Sequence, residues 1–204
     1  MVKKLLVATR NSGKVREFSR MLSHLSTDTV FDVVGLDDLR IDLEVKETGS
    51  TFEENAVLKA RKYADVSGEV TLADDSGLVV DALNGAPGIL SARYGGDGLN
   101  DEDRVRFLLE NMHDIPGWER TARFIAVIAL VGPGVPGGLV TSEGVIEGAI
   151  MHEPIGQNGF GYDPVFWIPR RAKTTAQMSA AEKDGISHRG IALRGMSSAL
   201  KALF

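Results

Sequence analysis

The sequence contains no cysteine among its 204 residues. This absence excludes disulfides, thiolate metal sites and a cysteine nucleophile, and it fits a reducing compartment. Long apolar runs are also missing, since no stretch reaches the ~18 residues that a membrane-spanning helix needs. The apolar run after Lys4 has only four residues, which is too short for the core of a signal peptide. We therefore predict a cytoplasmic protein with no membrane partner.

Basic residues are in the minority. Lys and Arg total 23 and Asp and Glu total 28, which gives a formal net charge of −5. A negative chain is a poor candidate for nonspecific nucleic-acid binding, which needs a basic face, and we predict no nucleic-acid partner. A small anionic substrate stays possible, because one basic pocket and a divalent metal would suffice. The length predicts a single domain over residues 1–204, and one domain with two lobes fits equally well.

Strand and helix patterns alternate along the chain, with a hairpin embedded among them. This order favours an α/β fold with a mixed sheet over a purely parallel one. A capping box, Thr51 with Glu54, predicts the start of a helix that runs to Val66. The predicted strands are 4–9, 29–36, 70–73, 78–80, 124–131, 139–146 and 164–168. Four further helices are predicted: one that begins near residue 12, one over 101–112, a short one that begins at 179, and one over 188–203.

The segment 9–14, Thr-Arg-Asn-Ser-Gly-Lys, lies between a predicted strand and a predicted helix. Free backbone N–H groups and the positive end of the helix dipole make such a helix start suitable for a phosphate. Lys14 adds a cation in the first turn, where it opposes the dipole. The segment is not a Walker A loop, because its first glycine is missing and Val15 replaces the Ser/Thr. An ordinary helix cap with a solvated lysine is the alternative.

Asp74 and Asp75 follow a short predicted strand and precede Ser76 and Gly77. Adjacent carboxylates are costly unless a cation neutralises them, and their oxygens are ligands that Mg²⁺ prefers. Strand alternation directs the two side chains to opposite faces, so that at most one is a direct ligand or base. A hydrogen-bonded turn is the alternative interpretation.

Three further segments have polar patterns that suit a nucleotide. Glu47 can supply a second carboxylate, and Asn55 and Lys59 share one face of the following helix. Glycines flank the aromatics of segment 159–164, which would allow stacking on a base. Segment 182–190 carries donors for a carbonyl or a phosphate. A solvated helix face, core aromatics and a helix cap are the respective alternatives.

These segments, taken in order, resemble one family. It is the inosine triphosphate pyrophosphatases, also called noncanonical purine NTP pyrophosphatases or XTP/dITP diphosphatases. The resemblance covers nearly the whole chain and rests on residues 9–14, 47–49, 73–77, 160–164 and 187–190. It implies an elongated mixed β-sheet flanked by helices, two lobes with a central active-site cleft, and usually a homodimer. Lys46 departs from relatives that carry a second acidic residue beside Glu47.

The resemblance also implies a Mg²⁺-dependent hydrolase that converts ITP, dITP or XTP to the monophosphate and pyrophosphate, which keeps these nucleotides out of DNA and RNA. Asp75, Lys14 and Lys59 would be catalytic, and Glu47 and Asp75 would hold Mg²⁺. The substrate-binding residues implied are Thr9, Arg10, Asn11, Ser12, Gly13 and Lys14 for the triphosphate, Phe160, Gly161, Tyr162 and Asp163 for the base and sugar, and Lys183, His188 and Arg189 for the base edge. Ser76 is implied as a further contact to the substrate.

Two other functions use the same features. A nucleotide or nucleic-acid binder without catalysis would need the phosphate-binding turn and the aromatic loop, but the carboxylates would give it no advantage without a metal. A pyrophosphatase acting on modified pyrimidine nucleotides is the alternative within the hydrolases. The match of segments 160–163 and 183–189 favours purines.

Overall fold

A computed structural model describes residues 3–25 and 31–203 of the chain. The elements are β1 Lys3–Val7, α1 Ser12–Leu25, β2 Phe31–Gly35, α2 Phe52–Ser67, β3 Val70–Val80, α3 Asp101–Asn111, β4 Thr121–Val131, β5 Leu139–Ile150, β6 Phe166–Ile168, β7 Lys173–Thr174, α4 Ala180–Ile186, α5 His188–Gly195 and α6 Ser197–Leu203. Within the described ranges, no helix is long and apolar enough to cross a membrane.

The seven strands form one sheet in the order β2-β1-β3-β4-β5-β6-β7. Strand β1 pairs in parallel with β2 and with β3, whereas β6 pairs antiparallel with β5 and with β7. The predicted mixed sheet flanked by helices is therefore confirmed.

By its internal contacts the chain divides into two compact units. The first comprises Met1–Asp75, Ala126–Gly144 and Arg189–Phe204, and the second comprises Ser76–Ile125 and Val145–His188. Strands β3, β4 and β5 each contribute residues to both units.

The first unit buries apolar side chains on both faces of its strands. Leu5 and Leu72 belong to one core cluster with residues of α1, α5 and α6. Leu6 and Ala73 belong to the other, with Ala56 and other residues of α2. Successive strand residues therefore face different helices, as the period of two requires.

The second unit has its own core, which residues of β3, α3, β4 and the segment 162–168 build. Arg120 is fully buried there, and its guanidinium donates to the carbonyl oxygens of Met112, Ile115, Ile150 and Met151. These four bonds satisfy a cation that would otherwise be costly to bury.

Several predicted boundaries were wrong. Residues 70–80 form one continuous strand, so Asp74 and Asp75 lie inside β3 rather than in a turn that follows a short strand. The single helix predicted over 188–203 is two helices, α5 and α6. Strand β6 begins at Phe166 rather than at residue 164. The prediction of a strand at residues 29 and 30 lies outside the described residues.

Candidate active site

Asp74 and Asp75 are both buried in β3, and their carboxylates contact different helices of the first unit. Asp74 contacts Lys14 of α1 and Arg189 of α5. Asp75 contacts Lys59 of α2. The alternation that places Leu72 and Ala73 in separate core clusters separates these two carboxylates as well, so the prediction of opposite faces is confirmed.

Lys59 joins the carboxylates of Asp75 and Glu47. Its Nζ lies 3.1 Å from Asp75 Oδ1 and 2.5 Å from Glu47 Oε1. Burial disfavours the charged amine, but Asp75, Asp74 and Glu47 outweigh it and raise the pKa of Lys59. The ammonium is therefore charged near neutral pH and holds two carboxylates around one positive charge.

Asp75 combines a buried carboxylate with opposing charges. Burial raises its pKa, Lys59 opposes that shift, and Glu47 adds to it. A carboxylate with a raised pKa accepts a proton more readily than an exposed aspartate does. Asp75 is thus suited to orient a water molecule and take its proton.

The other carboxylate, Asp74, belongs to a chain of buried charges. Lys14 Nζ lies 3.2 Å from Asp74 Oδ2, and Arg189 Nε donates to the same oxygen at 3.2 Å. Arg189 also donates from Nη1 to Glu17 Oε2 at 2.9 Å. Burial lowers the pKa of Lys14, although Asp74 opposes the shift.

The segment 9–14 forms the expected strand-to-helix turn. Asn11 Oδ1 accepts from the backbone N–H of Lys14 at 3.0 Å, which caps α1. Thr9 Oγ1 accepts from the N–H of Asn11 at 3.2 Å, and Ser12 and Gly13 open the helix. The predicted helix start beside Lys14 is confirmed.

Arg10 is directed away from this turn. It donates to the carbonyl oxygen of Ile41 at 2.7 Å and pairs with exposed Asp37 at 3.4 Å. Its role in triphosphate binding stays a prediction that these contacts do not support.

In the second unit, Asp163 organises the loop that carries Phe160. The Asp163 carboxylate accepts from Phe160 N–H at 2.9 Å, from Thr175 Oγ1 at 2.8 Å and from Lys183 Nζ. Lys183 Nζ lies 5.0 Å from the centre of the Phe160 ring. At Gly159 a Cβ atom would come within 1.9 Å of Asp163 Oδ2, so only glycine fits that position.

The two aromatic residues of this loop differ in exposure. Phe160 is half-buried, whereas Tyr162 lies in the core, where its hydroxyl donates to the carbonyl oxygen of Ser91 at 2.9 Å. Burial raises the pKa of Tyr162. Tyr162 is therefore a core aromatic, which was the alternative interpretation of this segment. Of the two aromatic residues, Phe160 is the one able to stack on a base.

The residues predicted to read the base edge are divided between the two units. Lys183 and His188 belong to the second unit, where the His188 ring stacks on Phe124 with 4.8 Å between centroids. Arg189 belongs to the first unit and contacts Asp74 and Glu17. Ser76, at the start of the second unit, is half-buried. Base reading by these residues stays a prediction.

Sequence reasoning missed two residues of these networks, Glu17 and Thr175. Glu17 follows Lys14 by three positions on α1, and this spacing was the only local signal. Asn55 was identified as sharing a helix face with Lys59, but its contact with Asp75 was not predicted. Thr175 carries no local signal, because its contact with Asp163 joins residues 12 positions apart.

The carboxylates of Glu47 and Asp75 fit a magnesium ion. Both carboxylates contact the ammonium group of Lys59, and both offer hard oxygen ligands. Mg²⁺ commonly takes one or two carboxylates and completes its coordination with water and substrate phosphates. No group of three or more potential ligand side chains occurs over 3–25 and 31–203, so a dedicated all-protein cage is not present in that part of the chain.

Comparison with known proteins connects this geometry to a family. A sequence model of the Ham1 family matches residues 5–199. The chain is 48% identical over 197 residues to a dITP/XTP pyrophosphatase of Exiguobacterium sibiricum, covering 97% of this chain and 96% of that protein. It is 45% identical over 200 residues to the dITP/XTP pyrophosphatase of Escherichia coli K12, covering 98% and 99%.

Solved structures of Ham1 proteins are also similar to this chain. The Ham1 protein of Staphylococcus aureus has a TM-score of 0.84 and 39% identity, covering 99% of this chain and all of that one. A HAM1 protein from Coxiella burnetii has a TM-score of 0.85 and 40% identity, covering 98% and 99%.

Proposed function

This chain belongs to the Ham1 family, and on that premise we propose that it hydrolyses noncanonical purine nucleoside triphosphates to monophosphate and pyrophosphate. The substrates proposed are dITP, XTP and ITP, in keeping with the names of its relatives. The observation that carries the proposal is the meeting of Glu47 and Asp75 at Lys59. Two carboxylates around a half-buried cation suit metal-assisted phosphoryl chemistry better than simple binding.

Glu47 and Asp75 would hold the Mg²⁺ ion. When bound, the ion would offset phosphate charge and polarise the phosphoryl group. Phosphoryl transfer depends mainly on positioning and charge stabilisation, so it needs no covalent nucleophile. This requirement fits a chain without cysteine.

Residues of the first unit would bind the triphosphate and activate the attacking water. The N-terminus of α1, with residues 9–14, would bind phosphate oxygens through backbone N–H groups. Lys14 and Lys59 would offset the triphosphate charge. Asp75 would orient the attacking water and accept its proton.

Residues of the second unit would recognise the base. Phe160 offers a half-buried ring for stacking, and Lys183 is a cationic donor held by Asp163. A donor matches the 6-oxo group of hypoxanthine or xanthine. The 6-amino group of adenine would instead set a donor against this donor, which is costly.

The proposed role is removal of deaminated purine nucleotides before polymerases insert them into DNA or RNA. We also propose, from the family resemblance, that the protein acts in the cytoplasm and as a homodimer. Light scattering should then give a mass twice the 22.0 kDa of the chain.

The basic test is incubation of purified protein with dITP, in Mg²⁺ and in excess EDTA, followed by chromatography. We expect stoichiometric dIMP and pyrophosphate in Mg²⁺ and none in EDTA. Unchanged dITP in both samples would favour a nucleotide binder, and release of phosphate with dIDP would contradict pyrophosphate chemistry.

A further inference from the structure

Asn55 is a completely buried amide on the face of α2 that otherwise packs Ala56, Ala60 and Tyr63 into the core. A buried amide is costly unless its donors and acceptor find partners. The partners of Asn55 are therefore informative, and both lie in the segments that supply the proposed metal ligands.

The donor side of the amide contacts Asp75. Asn55 Nδ2 donates to Asp75 Oδ2 at 3.2 Å, and Lys59 Nζ donates to Asp75 Oδ1 at 3.1 Å. Asn55 and Lys59 are one helical turn apart on α2. One helix thus holds each oxygen of the Asp75 carboxylate with a separate donor, which fixes the carboxylate in rotation.

The acceptor side contacts the segment of Glu47. The backbone N–H of Gly49 donates to Asn55 Oδ1 at 2.7 Å. The approach is so close that a Cβ atom on Gly49 would lie 2.7 Å from that oxygen and 2.7 Å from Glu54 Cβ. Gly49 is therefore the residue that lets the backbone reach the amide.

These two contacts fix the orientation of the amide. Because Gly49 N–H needs an acceptor, Oδ1 must face the 47–49 segment, and Nδ2 must then face Asp75. A flipped amide would set two oxygens against each other at Asp75 and two N–H groups against each other at Gly49. An amide is the group that satisfies both sides at this position.

We infer that Asn55 is a positioning residue that sets Glu47 and Asp75 at the separation needed for one divalent cation. The inference rests on the proposed function. Asn55 touches neither the substrate nor the metal in this assignment, and acts through the Asp75 carboxylate and the Gly49 backbone. Residues that orient metal ligands typically contribute 10- to 100-fold to metal affinity or activity.

Two substitutions separate the two contacts. Asn55→Asp keeps an acceptor for Gly49 and removes the donor to Asp75, and Asn55→Ala removes both. Tyr63→Phe is the matched control, since it removes one buried bond from the same helix, from the Tyr63 hydroxyl to the Leu43 carbonyl oxygen at 3.0 Å, without touching either carboxylate.

The measurements are the Mg²⁺ concentration for half-maximal pyrophosphate release from dITP, the maximal rate, and the NMR hydrogen-exchange rate of the Gly49 amide without metal or nucleotide. Both Asn55 variants should show a rate or metal midpoint worse by about 10- to 100-fold. Only Asn55→Ala should exchange the Gly49 amide faster. Tyr63→Phe should match the wild type in all three.

Wild-type rates and metal midpoints in both folded Asn55 variants would overturn the inference. So would a Gly49 amide that exchanges at the wild-type rate in Asn55→Ala, since the proposed bridge would then not exist. If the wild type itself releases no pyrophosphate, the proposed function fails, and the Gly49 exchange rate decides separately whether Asn55 holds the 47–49 segment.

Discussion

At the scale of single residues, neighbouring carboxylates acquire different chemistry from their partners. Asp74 has a side chain with no exposure, and it contacts Lys14 and Arg189. Asp75 contacts Lys59 and Asn55, and through Lys59 it is linked to Glu47. Since Asp74 belongs to a chain of ion pairs with Lys14 and Arg189, we propose Asp75 as the carboxylate that takes metal and water.

Asp75→Asn should lower kcat for dITP by about 10²- to 10⁴-fold, because an amide neither accepts the proton of water nor supplies a metal-binding charge. Pyrophosphate release under saturating Mg²⁺ measures the effect, and circular dichroism checks that the variant is folded. Asp81→Asn is the control, because Asp81 pairs with Arg123 at the surface of the second unit. A folded Asp75→Asn enzyme with wild-type turnover would contradict the role of Asp75.

Residue predictions succeeded where a local pattern carries the information. The period of a strand was enough to separate Asp74 from Asp75, and the strand-to-helix turn was enough to place Lys14. The contact of Arg189 with Glu17 joins residues 172 positions apart, and the contact of Thr175 with Asp163 joins residues 12 positions apart, beyond one helical turn or a strand repeat. No spacing in the sequence reports such contacts.

At the scale of elements, helix α2 carries Asn55 and Lys59 and depends on a local cap. Thr51 Oγ1 accepts from the Glu54 N–H at 3.1 Å, and Glu54 Oε2 accepts from the Ser50 N–H at 2.7 Å. The Thr51 cap was read from sequence because both residues of the pattern lie within one turn, whereas the Glu54 carboxylate bonds Ser50, one residue before the cap. The helix it predicts to Val66 ends at Ser67.

Thr51→Ala should lower the free energy of unfolding by about 0.5–2 kcal/mol, since it removes the acceptor for a helix N–H. The folded variant should keep its turnover, because Asn55 and Lys59 lie beyond the first turn. Urea unfolding measures the loss, and Thr51→Ser, which retains the hydroxyl, should restore most of it. An unfolding free energy equal to that of the wild type in Thr51→Ala would contradict this account of the cap.

Element boundaries were harder to predict where polar residues interrupt an apolar strand. Asp74, Asp75 and Ser76 suggested a turn, yet β3 continues through them because nearby cations compensate the carboxylates. The compensation comes from α1, α2 and α5, and is therefore a tertiary effect that overrides local propensity.

At the scale of the whole molecule, the net charge does not describe the charge around the candidate site. The chain carries −5 overall, but Lys14, Lys59 and Arg189 are concentrated in the buried networks of the first unit. A triphosphate is bound by local charge, so the acidic total bears only on partners with extended anionic surfaces.

The single domain predicted over residues 1–204 remains a prediction, and we expect the two units to unfold together because three strands run through both. Both tryptophans, Trp118 and Trp167, lie in the second unit, so fluorescence reports on it, while far-ultraviolet circular dichroism reports on the whole chain. Coincident urea transitions are expected. Two separated transitions would mean two independent domains.

The most direct test of the central claim is a comparison of kcat/KM for pyrophosphate release from ITP, dITP, XTP, ATP and GTP, with Mg²⁺ present. A site whose cationic donor Lys183 reads the 6-oxo group should favour the first three over ATP by about 10²-fold or more, because the 6-amino group of adenine would set a donor against this donor. Equal values for all five nucleotides would contradict this specificity, and no pyrophosphate from any of them would contradict the function itself.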